Sequence, residues 1–475
     1  MEFLYEFCFI CGTIFIQNKS EVKAMVNHQH YGYFFFPSTP NNKINGVITI
    51  NKNKDISFQF LAGRNELENF FSLVNAEDIS NQFTLFGCLH SGQHVSLINS
   101  YGTNRSRFFN STIEVIDDCY FTEFVKGLHI KNIDEIEIKQ FYFHCTSIDT
   151  WMFKNITFTE PITDDDCKRE LIKIICPEWD KIEIQEGFYI ALWGQQIKSN
   201  PNRSSFNFCD RTCVTFLFTE PKTLSEIRRK QLIFLWLLNF ATNKQQGILE
   251  NYIYINENRV DIISNFCKPS NDFIEPQLHE MLFNYRDIEN IWSASIKNWF
   301  EKIEPYFTQY AWYFMLKMSS SNFIEQDIIH LTQFLEGYHR INYPLTKEDE
   351  KTRKDKIKKI IKDNIPNAED RSMLYEKLAH AHEPSFKERI VELMDNCALC
   401  GEILEGENKD AFSKEVKDTR DFYTHLFARE NNVEVDWLKI RRKLNKLAQY
   451  YLLRELLLPE EECKNIMERY YGKRK

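Results

Sequence analysis

Two kinds of apolar spacing divide the chain. From Tyr31 to about Glu220 apolar residues alternate with polar ones in short runs, the period of a strand with one buried face. Gly46–Asn51 and Asp55–Leu61 alternate around an Asn-Lys-Asn-Lys turn and predict a hairpin; Phe83–His90 and His94–Asn99 predict another around Ser91-Gly92. Ile133–Cys145, Ile156–Phe158, Lys181–Ile190 and Ser205–Phe218 continue the alternation. The expectation is a β-rich domain of roughly ten or more strands, arranged as a curled sheet or sandwich.

Pro221 changes the period. Leu224–Ala241 repeats its apolar residues at helical intervals behind a Thr-Leu-Ser start, a short strand pair follows at Ile248–Ile255 and Arg259–Ile263, and helices begin near Glu275. Between Ile288 and Met318 the aromatic residues Trp292, Trp299, Phe300, Tyr306, Phe307, Tyr310, Trp312 and Phe314 crowd together, a density that marks packing between helices. After Ser321 the helical segments are Asn322–Ile341, a basic helix behind Leu345, Ala368–His380, Phe386–Asp395, Lys414–Arg429, Asp436–Leu456 and Pro459–Tyr471. The predicted fold class is α+β. A β-rich N-terminal domain spans 1–225, a mainly helical connector 226–320, and an all-α bundle 321–475.

Composition narrows the functional classes. Forty Phe and 21 Tyr against 15 Gly describe packed sheets and helices rather than linker. A net charge of -9 excludes a general polycation, so nucleic-acid binding requires a local patch. Two basic runs qualify as candidates: Lys351 to Lys362, with Lys351, Lys358 and Lys359 as its RNA-binding candidates, and Arg441-Arg442-Lys443 with Lys446. For either run the plain alternative is a solvated helix face. Thirteen scattered cysteines suit a reducing compartment better than a disulfide framework. The apolar opening Phe7–Ile16 lacks a basic start and a small-residue cleavage site, so it reads as a first strand. No apolar run has the length of a membrane span. A cytoplasmic protein without membrane partners is expected.

Candidate chemistry centres on Thr419–Arg429. Val416, Thr419, Tyr423, Leu426 and Phe427 recur at helical spacing and face a core, while Asp421 and His425 stand four apart on a neighbouring face, where the carboxylate can orient the ring. Arg420 lies five residues before His425, about 140° round the helix and about 7.5 Å along it. One helix therefore aims the two groups apart, and a second copy across a two-fold axis would bring both into one cleft. There an arginine can hold a phosphate while an imidazole moves protons near neutral pH. Cys397-x-x-Cys400 with His380 and His382 has zinc-ligand types, but only one half has metal spacing. Those residues, and the Cys8-x-x-Cys11 and Cys209/Cys213 pairs, are read as ordinary core or surface residues, with no metal and no cofactor expected. Phosphate-binding-loop, dinucleotide-binding, zincin and serine-hydrolase signatures do not occur.

With these residues in place, a family resemblance emerges. The Arg420-Asp-Phe-Tyr-Thr-His425 stretch resembles the Arg-x4-His motif of HEPN nucleases, and Leu331-Thr-Gln-Phe-Leu-Glu336-Gly-Tyr-His339-Arg340 resembles the LxxLE-x-x-H-R helix of the ApeA-like branch. Tyr31-Gly32-Tyr-Phe-Phe-Phe-Pro37, Ile44-Asn-Gly46-Val-Ile-Thr-Ile, Leu85-Phe-Gly87 and His94-Val-Ser-Leu97 resemble the opening of the ApeA N-terminal domain. The resemblance spans roughly 30 to 460; residues 1 to about 24 fall outside it. It implies an anti-phage defence protein with a C-terminal HEPN endoribonuclease that works without metal and as a homodimer. The N-terminal half would sense or regulate, a phage-derived trigger being one form that takes. Under it Arg420 holds the scissile phosphate, His425 is general acid or base and Asp421 is the polar residue after the arginine; Glu336, near the middle of its amphipathic helix, either reaches the arginine as a supporting residue or caps a packing network. The substrate is RNA, with tRNA suggested by analogy. The alternative is a HEPN module without catalysis, one that binds nucleotide or RNA or serves as a dimerising scaffold.

Overall fold

The computed structural model describes residues 6–7, 28–51, 54–73, 82–107, 114–152, 157–158, 162–163, 170–171, 174–175, 181–198, 208–270, 272–318, 323–378, 381–425 and 436–472. Of the apolar opening, only Glu6–Phe7 is described, as a two-residue strand against Glu170–Leu171; the rest lies outside the described residues. Two compact units divide the chain, Met1–Ser293 and Ala294–Lys475. The first is β-rich and the second helical, an α+β fold.

Twelve antiparallel strands make the main sheet of the first unit. They are β1 (His28–Phe35), β2 (Ile44–Ile50), β3 (Ile56–Phe60), β4 (Leu85–Leu89), β5 (His94–Arg107), β6 (Glu114–Lys126), β7 (Ile138–Cys145), β8 (Ile182–Gln185), β9 (Phe188–Lys198), β10 (Phe208–Lys222), β11 (Ile248–Ile255) and β12 (Asn258–Ser264). Both predicted hairpins are present, as β2–β3 and β4–β5. Strands β6-β3-β2-β1-β4-β5 close on themselves, because β5 also pairs with β6. The result is a six-stranded barrel.

Strand β6 was not among the predicted strands, and it organises the unit. One edge pairs with β5 from Glu114 to Lys126. Along its other edge Asp118–Phe121 pairs with β3, then Glu123–Lys126 pairs with β12. The barrel opens at this fork into a wing of order β12-β11-β7-β10-β9-β8. Lys54 fills the fork, its backbone left-handed and its Nζ donating to the Leu249 carbonyl.

Phenylalanines fill the barrel. Phe34, Phe36, Phe58, Phe60, Phe83, Phe121 and Phe124 are all buried, and α1 (Arg64–Ser72) adds Leu67, Phe70 and Phe71. Each such ring contributes about 1.5–3 kcal/mol on leaving water. So many rings fit a small barrel only because glycine faces them: a Cβ at Gly46 would lie 2.4 Å from Phe58, and one at Gly87 2.4 Å from Phe34. In the wing, α3 (Leu224–Thr242) packs Phe234 against Phe143 and Phe216. A short helix, α2 (Ile148–Met152), buries Trp151 against Phe283, Tyr285 and Trp292. The predicted Ile133–Cys145 strand starts late: Asn132 accepts from the Asp134 N–H and caps a turn over Ile133–Glu135 before β7 begins.

In the second unit α4 (Trp292–Ile303) runs in from the division, followed by α5 (Phe307–Met318), α6 (Ile324–Asn342), α7 (Lys347–Asn364), α8 (Ala368–Lys377), α9 (Phe386–Asp395), α10 (Cys400–Leu404), α11 (Lys409–His425), α12 (Trp437–Glu455) and α13 (Glu460–Gly472). Helix α11 starts one turn before the predicted Lys414, since Phe412 is already buried in the core. Helix α6 buries Ile328, Leu331, Phe334, Leu335 and Tyr338, the helical stripe expected of it, while α12 buries Leu444, Leu447, Tyr451 and Leu452. The aromatic residues Trp299, Phe300, Tyr310 and Phe314 are core, as their density suggested. No helix among the described residues is long and apolar enough to cross a membrane.

Candidate active site

Three helices meet at the predicted arginine. Val416 and Thr419 bury one side of α11 completely, and this fixes the azimuth of Arg420 beside them. Arg420 reaches α6, where its Nη2 donates to Glu336 Oε2 at 3.0 Å. Its guanidinium lies over the ring of Phe386 on α9, 4.8 Å from the centroid, a cation–π contact that holds the plane of the fork. The third guanidinium nitrogen, Nε, is out of solvent with no acceptor among the described residues.

Glu336 was expected to reach this arginine or to cap a packing network, and it contacts Arg420 directly while also accepting from Arg340 Nη2 through Oε1 at 3.1 Å. Asp421 stands 3.1 Å from Lys417 and 3.6 Å from the Arg420 Nη1. His425 closes α11. Its side chain lies outside the described residues, as do Leu426 and Phe427.

A second layer of charge stands behind the first. Arg389 on α9, almost wholly buried, donates to His339 Nδ1 at 3.2 Å and to Glu383 at 3.2 Å. His339 contacts Glu392 Oε2 through Nε2 at 2.9 Å. Arginine has no lone pair to offer, so Nδ1 must be the acceptor and Nε2 must carry the hydrogen. Burial lowers the His339 pKa; Glu392 pulls the other way, and Arg389 and Arg340 add to the lowering. The ring is therefore neutral. Arg340 Nη1 reaches Glu383 at 3.5 Å and completes an alternating chain: Arg420, Glu336, Arg340, Glu383, Arg389, His339, Glu392. Sequence reasoning missed Phe386, Glu383 and Arg389. Phe386 and Arg389 come from a helix with no motif of its own, whose start only the Ser385 cap marks, and Glu383 from the turn just before it.

The basic runs separate. On α7 the side chains of Lys351, Lys356, Lys358, Lys359 and Lys362 are exposed and form no ion pair among the described residues, while Lys354 pairs with Glu350. On α12 each cation of the Arg441–Lys446 run has an acid: Arg441 meets Asp327, Arg442 meets Glu405 at 2.8 Å, Lys443 meets Glu407 at 2.6 Å, and Lys446 meets Glu405 at 3.4 Å.

The zinc-type residues do not gather. Cys397 and Cys400 are buried, and burial pushes the Cys397 thiol up to about 12 and raises that of Cys400. His382 Nε2 faces Glu350 at 3.4 Å, and His380 lies outside the described residues. No group of three His, Cys, Asp or Glu suited to a metal occurs among the described residues.

Comparison with known families matches residues 29–299 to ApeA N-terminal domain 1 and residues 329–462 to the Apea-like HEPN domain. No curated protein and no solved structure matches the chain.

Proposed function

The chain belongs to the ApeA family, an ApeA N-terminal domain joined to an ApeA-like HEPN domain, and from that membership we propose that it is an endoribonuclease acting at Arg420 and His425. At the family level the HEPN domain carries a nuclease role in anti-phage defence. The finer reading concerns how this chain performs it.

The reaction is attack by an RNA 2'-hydroxyl on the adjacent phosphorus. The hydroxyl proton passes to a base, the new P–O bond forms, and the P–O5' bond breaks as the leaving oxygen takes up a proton. The products are a 2',3'-cyclic phosphate and a 5'-hydroxyl. Arg420 carries the phosphate oxygens, for which a planar fork is the best-matched side chain. His425 moves a proton, since imidazole alone titrates near neutrality unaided. Its placement five residues on points it away from Arg420 on the same helix. A second copy of the HEPN domain, bringing its own Arg420 and His425 to a shared groove, supplies both ends of the proton transfer. Asp421 stands beside the arginine as the polar residue of the motif, and no metal or cofactor enters the chemistry. The exposed lysines 351, 358 and 359 gather the RNA; the fully paired Arg441 and Arg442 do not.

The observation that carries this reading is the setting of Arg420: fixed by a buried helix face, laid on Phe386 and, with no phosphate bound, occupied by Glu336. Preorganisation of this kind suits a group that must meet a developing charge. Arg420→Ala and His425→Ala should each lower RNA cleavage about a thousandfold or more, with helix content by circular dichroism unchanged. Full activity in either variant moves the site elsewhere. The RNA is of tRNA or another structured-loop class, and the N-terminal domain, answering to a phage-derived trigger, restrains the nuclease.

A further inference from the structure

Glu336 has two claimants. Its Oε2 accepts from Arg420 Nη2 at 3.0 Å and its Oε1 from Arg340 Nη2 at 3.1 Å. The two arginines differ in situation. Arg420 comes from another helix and its side chain is 21% exposed, whereas Arg340 follows Glu336 by one turn of α6 and is 54% exposed. Arg340 also reaches Glu383 through its other terminal nitrogen at 3.5 Å.

An RNA phosphate would need the terminal nitrogens of Arg420, of which Nη2 donates to Glu336 at 3.0 Å and Nη1 faces Asp421 more loosely at 3.6 Å. Carboxylate and phosphodiester compete for the same guanidinium hydrogens, because both present two acceptor oxygens at matching spacing. Two anions brought within about 4 Å repel strongly in a part-buried site. Phosphate entry therefore requires Glu336 to withdraw, and a carboxylate this enclosed is costly to leave unpaired. Arg340 already holds its other oxygen, so no new partner has to be found.

We propose that Arg340 is a positioning residue for the Arg420 site: it retains Glu336 when an RNA phosphate takes Arg420, and so makes the exchange of partners possible. The inference rests on Arg420 being the phosphate-binding arginine. In the free protein Glu336 shields Arg420 from stray anions; on RNA binding it swings toward Arg340 and Glu383 is left to Arg389, its existing partner at 3.2 Å.

The test is a double-mutant cycle on the intact chain, read as affinity for a 2'-O-methyl oligoribonucleotide that cannot be cleaved. Arg340→Ala leaves Glu336 on Arg420 and should weaken binding about three- to tenfold. Glu336→Gln removes the competing charge and should tighten binding by a similar factor, about three- to tenfold. The double variant should bind as Glu336→Gln does, because without the carboxylate nothing needs holding. Arg340→Lys, which keeps the charge but not the fork, should fall between Arg340→Ala and the parent. Equal weakening by Arg340→Ala with and without Glu336 would overturn the proposal, since Arg340 would then act on RNA directly. Weaker binding by Glu336→Gln would overturn it too, with Glu336 a plain brace. Failure of the underlying reading looks different: Arg420→Ala would bind and cleave RNA as the parent does, and the proposal would fall with the site.

Discussion

Lys351–Lys362 and Arg441–Lys446 are both dense in cations, and nothing in their composition ranks one above the other as a nucleic-acid surface. In the fold they differ throughout. Helix α7 holds five lysines in solvent without ion pairs among the described residues, whereas α12 turns each cation of its Arg441–Lys446 run onto an acid of α6 or of the segment after α10. Lys443 shows the second case most fully: it is 1% exposed, donates to the Leu404 carbonyl and to Glu407, both at 2.6 Å, and stands above Phe412. A cation acts on a distant polyanion only through charge that nearby acids leave uncancelled. The α12 run ties helices together; the α7 run keeps its charge in solvent and is the surface we propose for RNA.

The sharpest way to break this contrast is Lys443→Met. It leaves Glu407 and a buried carbonyl without their shared donor, so stability should fall by about 2–4 kcal/mol in denaturant unfolding, while RNA affinity stays at the parent value. Unchanged stability would put α12 back among the free cations.

The converse change is Lys351→Glu with Lys358→Glu and Lys359→Glu. Unfolding should be unaffected, and RNA affinity at low salt should drop about tenfold to a hundredfold, with the slope of log affinity on log salt flattened by about two or three. An unaltered slope would remove α7 from the binding surface.

Acid titration separates the runs more gently. Burial pushes the Glu405 and Glu407 carboxyls up, but Arg442 and Lys446 on the first, and Lys443 and Lys439 on the second, outweigh it and hold both below the usual 4.5. A depressed carboxyl binds its proton more weakly folded than unfolded. Its stabilisation is thus complete above 4.5 and is lost as pH falls through the folded value. The stability gap between the parent and Lys443→Met should narrow over that range, whereas the α7 triple variant should track its parent. A gap independent of pH would mean that Lys443 stabilises through its methylenes alone.

The same contrast bears on what the sequence disclosed. Strands β3 and β4 alternate cleanly because one face of each is core and the other is not, and each pairs across the turn the sequence marks. Strand β6 escaped notice for a physical reason: Phe121 on the barrel side and Phe124 and Val125 near the fork are all buried, and Asp117-Asp118 interrupts the run, so no period of two survives. Helix α6 was legible through its stripe and α11 through Val416 and Thr419. The approach of Glu336 to Arg420 was open as one alternative of two, because a carboxylate at mid-helix has several neighbours within reach. Phe386, Glu383 and Arg389 were not legible, since their importance lies in what α9 faces, and that is a property of tertiary packing. Pairing of the α12 cations was hidden in the same way: Asp327 is more than a hundred residues from Arg441 along the chain.

The central claim is that Arg420 and His425 cleave RNA by internal attack of its own 2'-hydroxyl. The most direct measurement incubates the purified chain with total RNA in the presence of a chelator and determines the chemistry of the new ends, beside the Arg420→Ala variant. The account predicts 2',3'-cyclic phosphate and 5'-hydroxyl ends from the parent and none from the variant. New 5'-phosphate ends, or the same ends from both proteins, would contradict it.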